Sequence, residues 1–305
     1  MKHSVRWDPG ALVRANVSRI YKLAKFVRIE HTLFSLPFAY AGALLSDKPL
    51  TMQTATLIFT ALLGLRIAGI SFNNIADRDI DALNPRTAKR PLVTGVVSLR
   101  EAWGLVIVGS LLYYISAALL NIYALMLSPI VWAIAMSYPY AKRLHWLPHI
   151  HLGLVLGLAV FGGYVAVEGC YAQSIIQLVV SAPWPLVLGV ALWVSGFDTV
   201  YAIMDMEFDR KLGLGSIPAK LGVKGALIAA LVQHAIASLL FIYTVAAYGL
   251  GFPAHIATMA STALLCYEDY LVLKSLKNIP KAFNLNLVVG PLYALGIVVS
   301  KTLSF

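Results

Sequence analysis

The chain has 305 residues, of which 59% are hydrophobic and 12% charged, and a formal net charge of +10. Soluble domains carry roughly 25% charged residues, and a soluble fold of this length could not bury so much apolar surface, so the composition excludes an ordinary water-soluble protein. The positive charge requires no nucleic acid, because a basic rim facing anionic lipid or an anionic substrate accounts for it.

Residues 1–29 are polar and basic, lack the apolar core of a cleavable signal, and read as a cytoplasmic amphipathic segment. Residues 30–305 read as one transmembrane domain. Within it, apolar runs of roughly 20 residues match a hydrocarbon slab about 30 Å thick at about 1.5 Å rise per residue. Nine spans are predicted, near 30–46, 53–75, 101–120, 122–139, 151–168, 184–205, 223–246, 252–272 and 282–303. The expected fold is all-α, a polytopic membrane bundle of nine helices. Arg28, Glu30 and His31 open the first span and read as interfacial anchors; His145, His149 and His151 read as interfacial histidines without catalytic duty. Cys170 and Cys266 lie far apart with no metal-ligand spacing and read as small packing residues.

If nine helices alternate, 21 of the 24 Lys and Arg residues fall on one side. The positive-inside rule then places the N-terminus and the two long acidic loops in the cytoplasm of a cell-membrane protein. Lys48 and Lys301 fall on the far side, and Arg66 sits inside a span.

Two segments carry the chemistry. In the first, Asn73, Asp77 and Asp81 are four apart and stack along one helical face, with Arg66 two turns earlier on it. In the second, Asp198, Tyr201, Asp205 and Asp209 also share a face. Asp205 and Asp209 follow Asp77 and Asp81 by 128 residues, a weak internal repeat of the kind that places a site between two halves. Stacked carboxylates repel one another, and ionisable groups at membrane depth are costly, so something positive must sit between them. Hard oxygen donors without His or Cys suit Mg²⁺, which completes its shell with water and substrate phosphates. Asn73, Asp77, Asp81, Asp198, Asp205 and Asp209 are the candidate metal ligands. Asp79 and Glu207 point off these faces. An Arg near mid-span, such as Arg66, calls for a buried anion, either an Asp of the site or a substrate carboxylate.

These segments resemble the paired aspartate-rich motifs of the UbiA superfamily of intramembrane prenyltransferases. The first motif appears as Asn73-Asn74-Ile75-Ala76-Asp77-Arg78-Asp79-Ile80-Asp81, with Asn74 where the family has Asp. The second appears as Asp198, Tyr201, Ala202, Asp205 and Asp209, with Ala202 in place of an Asp. NPRTAKRPLVTG after the first motif and SYPYAKR at 137–143 resemble segments of the 4-hydroxybenzoate polyprenyltransferases. The likeness covers most of the chain and implies nine helices in two repeated four-helix groups around a central cavity.

The resemblance implies transfer of a polyprenyl group from an isoprenoid diphosphate to a small aromatic acid, best 4-hydroxybenzoate, ortho to its hydroxyl. Asp77, Asp198, Asp205 and Arg66 would be catalytic. Lys142, Arg143, Tyr138 and Tyr201 would bind the diphosphate, and Arg66 the acceptor's carboxylate. Mg²⁺ would be the cofactor, membrane lipid the surroundings, and a monomer the working unit. Acceptors such as 1,4-dihydroxy-6-naphthoate or geranylgeranylglyceryl phosphate are alternatives within the enzyme class. A cation transporter is the alternative outside it, disfavoured because spans seven and nine are almost wholly apolar.

Overall fold

The structure is a computed structural model describing residues 19, 21–28 and 32–303. Most of the basic N-terminal segment, together with Glu30 and His31, lies outside the described residues. From Thr32 onward the described residues form twelve α-helices in order. They are α1 (Thr32–Leu44), α2 (Met52–Ala76), α3 (Arg78–Leu83), α4 (Leu99–Leu120), α5 (Ile122–Leu144) and α6 (Pro148–Glu168), then α7 (Ile175–Val180), α8 (Trp184–Ala202), α9 (Met206–Lys211), α10 (Ile217–Ala247), α11 (Phe252–Lys274) and α12 (Ile279–Thr302).

Polar residues punctuate these apolar runs. Ser98 and Glu101 form a reciprocal capping box that starts α4. Asn121, extended between α4 and α5, caps α5 through its side-chain oxygen and donates from Nδ2 to Val165 O at 2.9 Å, tying the turn to α6. Gly222, at φ +71°, breaks helical geometry inside α10 just before the predicted seventh span. Among the described residues, eight helical stretches are long and apolar enough to cross a membrane. In the predicted first span the described residues form the 13-residue α1, with Pro37 inside, and a count of nine spans is not confirmed.

The two halves pack alike. Helix α2 lies along α4 as α8 lies along α10, while α1 packs on α6 and α12 closes against α1, α8 and α11. The repeat extends to the backbone. Helix α2 stops at Asp77 (φ −96°, ψ 2°) before α3, and α8 passes through a short turn to Asp205 (φ −102°, ψ 0°) before α9. Hydrogen bonds from Asp77 N to Asn73 O and from Asp81 N to Asp77 O survive the first break, so the four-residue spacing still brings these side chains to one end of the bundle.

Close backbone approach fixes the register of α6 on α8. A Cβ on Gly153 would lie 2.0 Å from Ala191 O, and one on Gly157 would lie 2.5 Å from Val187 O. Spans seven to nine are less apolar inside than expected. His234 Nδ1 pairs with Asp269 at 2.8 Å, Trp193 Nε1 donates to Asn286 Oδ1 at 2.7 Å, and Glu268 is fully buried beside them.

Replacing Gly153 by Val should force α6 from α8. Overpacking of this kind typically costs about 1–3 kcal/mol, so the variant's thermal unfolding midpoint in detergent should fall by several degrees. Gly162→Val is the control, because a Cβ there meets nothing within 4 Å; equal midpoints for the two variants would contradict the packing account.

Candidate active site

The breaks at Asp77 and Asp205 open on one polar cavity of about 320 Å³ at the end of the bundle. Helices α2, α3 and the loop after it form one wall; α8, α9 and the start of α10 form the other. The C-terminal end of α5 and the first turn of α6 complete it. Asn73, Asp77, Asp81, Asp198, Asp205 and Asp209 all border this cavity, as do Tyr138, Tyr201 and Lys142. The two aspartate sets predicted to meet do meet.

The carboxylates do not close into one ligand shell: among the described residues no three His, Cys, Asp or Glu side chains converge as metal ligands. Each set is instead held by basic side chains. Lys142 Nζ donates to Asp77 Oδ2 at 2.6 Å, and Arg143 Nη2 reaches Asp77 Oδ1 at 3.2 Å. Arg90 Nη1 donates to Asp81 Oδ2 at 2.5 Å. Arg86 grips Asp205 with both Nε (2.9 Å) and Nη2, while Asn84 Nδ2 adds a third donor at 3.1 Å. Asp77 and Asp81 are buried, at 4% and 5% exposure, where an unpaired carboxylate would be strongly disfavoured. Burial pushes the Asp81 carboxyl up from its ordinary range, and the Arg90 guanidinium pulls it back down.

Lys142 borders the cavity, whereas Arg143 holds the outer side of Asp77, with its guanidinium 5.4 Å from the Tyr140 ring. Tyr201 lies under the Arg86 guanidinium at 5.4 Å and against the Phe283 ring at 4.6 Å. Arg86 and Arg90 received no role from sequence because a loop Arg after a span reads as topogenic charge. His149 was also missed. It is buried, and its Nδ1 lies 2.6 Å from Asp198 Oδ2. His145, by contrast, is exposed.

Arg66 does not border the polar cavity. It lines an adjoining one of about 280 Å³, whose wall also includes Asn73, Tyr138, Asp198 and Phe283. These four residues belong to both cavities. A third, largely apolar cavity of about 100 Å³ shares Leu62, Leu65, Val155 and Ala159 with the second. Reading α2 from its end inward thus gives carboxylates, then Arg66, then Ile58 and Leu62 beside apolar space.

A family model described as "UbiA prenyltransferase family" matches residues 35–288, from α1 into α12. The chain belongs to the UbiA prenyltransferase family. A protein of Photobacterium profundum named 4-hydroxybenzoate octaprenyltransferase is 32% identical over 92% of this chain and 95% of its own length. The apo structure of a UbiA homolog from Aeropyrum pernix K1 superposes with a TM-score of 0.86 at 58% identity, covering 89% of this chain and 98% of that one. A UbiA homolog from Archaeoglobus fulgidus, bound to DMAPP and Mg2+, has the same fold at a TM-score of 0.66 and 21% identity, covering 88% of this chain and 97% of that one. UbiA membership confirms the helical membrane architecture read from composition and the family read from the two motifs.

The Asp81 environment gives a pH test. Arg90→Gln removes the group that pulls the Asp81 carboxyl down, so its folded value should rise further above the ordinary 3.8. An acid whose folded value is raised contributes stability below its unfolded value and loses it as pH climbs through the folded one. The thermal-stability deficit of Arg90→Gln against the unmodified chain should therefore be larger at about pH 8 than at about pH 4. A deficit independent of pH would contradict the pairing.

Proposed function

We propose that this UbiA-family chain transfers a polyprenyl group from an isoprenoid diphosphate to a small aromatic acid, with 4-hydroxybenzoate the best fit, and releases diphosphate. The observation that carries the reading is the order of the three cavities along α2. Carboxylates and cations surround the first, a single guanidinium borders the second, and the third is lined mostly by aliphatic side chains. An isoprenoid diphosphate has this same polarity, with an anionic head and a long apolar tail. The name of the 32% identical relative supports the aromatic acceptor, and the A. fulgidus homolog bound to DMAPP and Mg2+ supports the donor class.

The donor set fits Mg²⁺, being made of carboxylate and amide oxygens around one polar space. Asn73, Asp77, Asp198 and Asp205 would hold the ion, with Asp81 and Asp209 as outer ligands. When bound, it supplies positive charge to the departing diphosphate. With an ion held by these carboxylates, Lys142, Arg90 and Arg86, which pair with Asp77, Asp81 and Asp205, would donate to diphosphate oxygens, for which guanidinium is well shaped. Cations that pair with the aspartates would thus also serve as donors to the substrate. Tyr138, Tyr201 and Phe283 shield the allylic carbon from water and present aromatic faces to its positive charge. Arg66 takes the acceptor's carboxylate, and Asp198, bordering both cavities, accepts from the acceptor's hydroxyl and draws electron density into the ring. The polar cavity faces the cytoplasm, where the positive-inside rule puts its basic loops.

The test is transfer by purified protein in detergent, from geranylgeranyl diphosphate to labelled 4-hydroxybenzoate with Mg²⁺. Product should form, vanish with EDTA, and fall at least about 100-fold in Asp77→Ala, in line with loss of a principal electrostatic contributor. Arg66→Ala should raise the acceptor KM at least about tenfold while leaving the donor KM unchanged, since a hydrogen bond to a charged group contributes about 1.5–3 kcal/mol. Diphosphate that fails to bind would overturn the reading.

Gly162 borders the apolar cavity with open space beside it. Gly162→Phe should therefore lower kcat/KM for geranylgeranyl diphosphate much more than for dimethylallyl diphosphate. Equal losses would place the tail elsewhere.

A further inference from the structure

Four of the carboxylates that border the polar cavity are not treated alike. Asp77, Asp81 and Asp205 each face a Lys or Arg. Asp198 faces His149 instead, and it is the one of the four that borders both the polar cavity and the cavity lined by Arg66. A Lys or Arg at that place would neutralise the carboxylate. An imidazole N–H can orient it and leave its charge available.

The placement follows from helix packing. His149 occupies the first turn of α6, next to Pro148 at the start. Residues 149, 153 and 157 lie on one helical face, four apart. Gly153 and Gly157 rest against the backbone of Ala191 and Val187 on antiparallel α8. Continued by one turn, this register sets His149 level with Ser195, within side-chain reach of Asp198, and the observed contact is 2.6 Å. An ionised carboxylate only accepts hydrogen bonds, so Nδ1 carries the hydrogen. Nε2 is covered and has no hydrogen-bond partner among the described residues. A hydrogen on it would be an unsatisfied buried donor, which folding penalises. The arrangement therefore holds the Nδ1–H tautomer, with no open Nε2 to pass a proton to a ligand.

We infer that His149 is a positioning residue whose Nδ1–H fixes one oxygen of Asp198 so that the other is presented at the junction of the two cavities, a role that rests on the prenyl-transfer reading above. Its contribution lies in directing the free Asp198 oxygen toward the acceptor, while donor binding also rests on Asn73, Asp77 and Asp205 and so depends on it less.

Three substitutions separate this role from simple packing. Asn places an amide N–H near the position of Nδ1, Gln places one near Nε2, and Leu offers none. In the detergent assay with geranylgeranyl diphosphate, 4-hydroxybenzoate and Mg²⁺, His149→Leu and His149→Gln should lower kcat at least about tenfold, the size expected for one hydrogen bond to a charged group. His149→Asn should restore most of that loss, and the donor KM should stay within about twofold in all three, since uniform binding is untouched. Equal losses in the Asn and Gln variants, or losses tracking a lowered unfolding midpoint and weakened donor binding, would overturn the positioning role.

A second readout needs no turnover. In protein labelled with ¹⁵N-histidine, the imidazole signal that disappears in His149→Asn should report an Nδ1–H tautomer and should shift in Asp198→Ala. An Nε2–H tautomer, or a signal indifferent to Asp198→Ala, would refute the clamp. If no aromatic acid is prenylated, the reaction proposed above fails, and the nuclear magnetic resonance result still decides whether His149 holds Asp198.

Discussion

Like charge brought together in a place poor in water is the constraint on which the rest of this structure depends. Two helix ends direct carboxylates at one cavity, and Asp77 and Asp81 are almost wholly removed from solvent. Coulomb repulsion in such surroundings is far stronger than on an open helix, so the chain must supply countercharge. It supplies Arg86 and Arg90 from the loop after α3, and Lys142 and Arg143 from the end of α5. These contacts tie together segments far apart in sequence, Arg86 to Asp205 across 119 residues and Lys142 to Asp77 across 65. The charge that a ligand and its metal would bring is thus already represented by side chains, and the Arg86–Asp205 pair joins the two halves of the bundle.

The packing of the helices serves the same end. Glycines let α6 ride directly on the backbone of α8, and this sets the height at which His149 meets Asp198. The repeated break at Asp77 and Asp205 turns each motif helix toward the cavity without losing the spacing of its carboxylates. Together these features give a fixed polar end, from which a graded series of cavities runs along α2 toward apolar space. A membrane enzyme acting on a molecule with a charged head and a lipid-soluble tail needs that gradient, since the tail then never crosses water at about 0.8 kcal/mol per methylene.

Much of this was legible in the residues. Apolar run length located the long helices, and spacings of three and four placed Asn73, Asp77, Asp198 and Asp205 on shared faces that the structure brings to one cavity. Lys142 was visible because SYPYAKR at 137–143 resembles a segment of the family. The direction taken by a loop is not encoded in any periodicity, so Arg86 and Arg90 read as ordinary basic residues until their carboxylates appeared. His149 was hidden for a related reason. Its partner lies 49 residues away, and Gly153 and Gly157 give the register only once α6 is known to face α8. At the C-terminal end of the predicted first span α1 stops at Leu44, two residues early, because hydropathy measures apolar length and does not see where helical geometry ends. The polar cluster of His234, Glu268, Asp269 and Asn286 shows that an apolar average conceals scattered polar residues which a bundle can gather inside.

The central claim is that basic side chains exchange one anion for another, leaving the aspartates when the substrate's diphosphate arrives. The most direct measurement is a structure of the protein with geranylgeranyl thiolodiphosphate, a donor that resists cleavage, and Mg²⁺. The expected result is Arg86 and Lys142 released from Asp205 and Asp77 and hydrogen-bonded to diphosphate oxygens, with the tail extending past Arg66 toward Gly162. A complex in which both ion pairs persist while the diphosphate lies elsewhere would contradict the account.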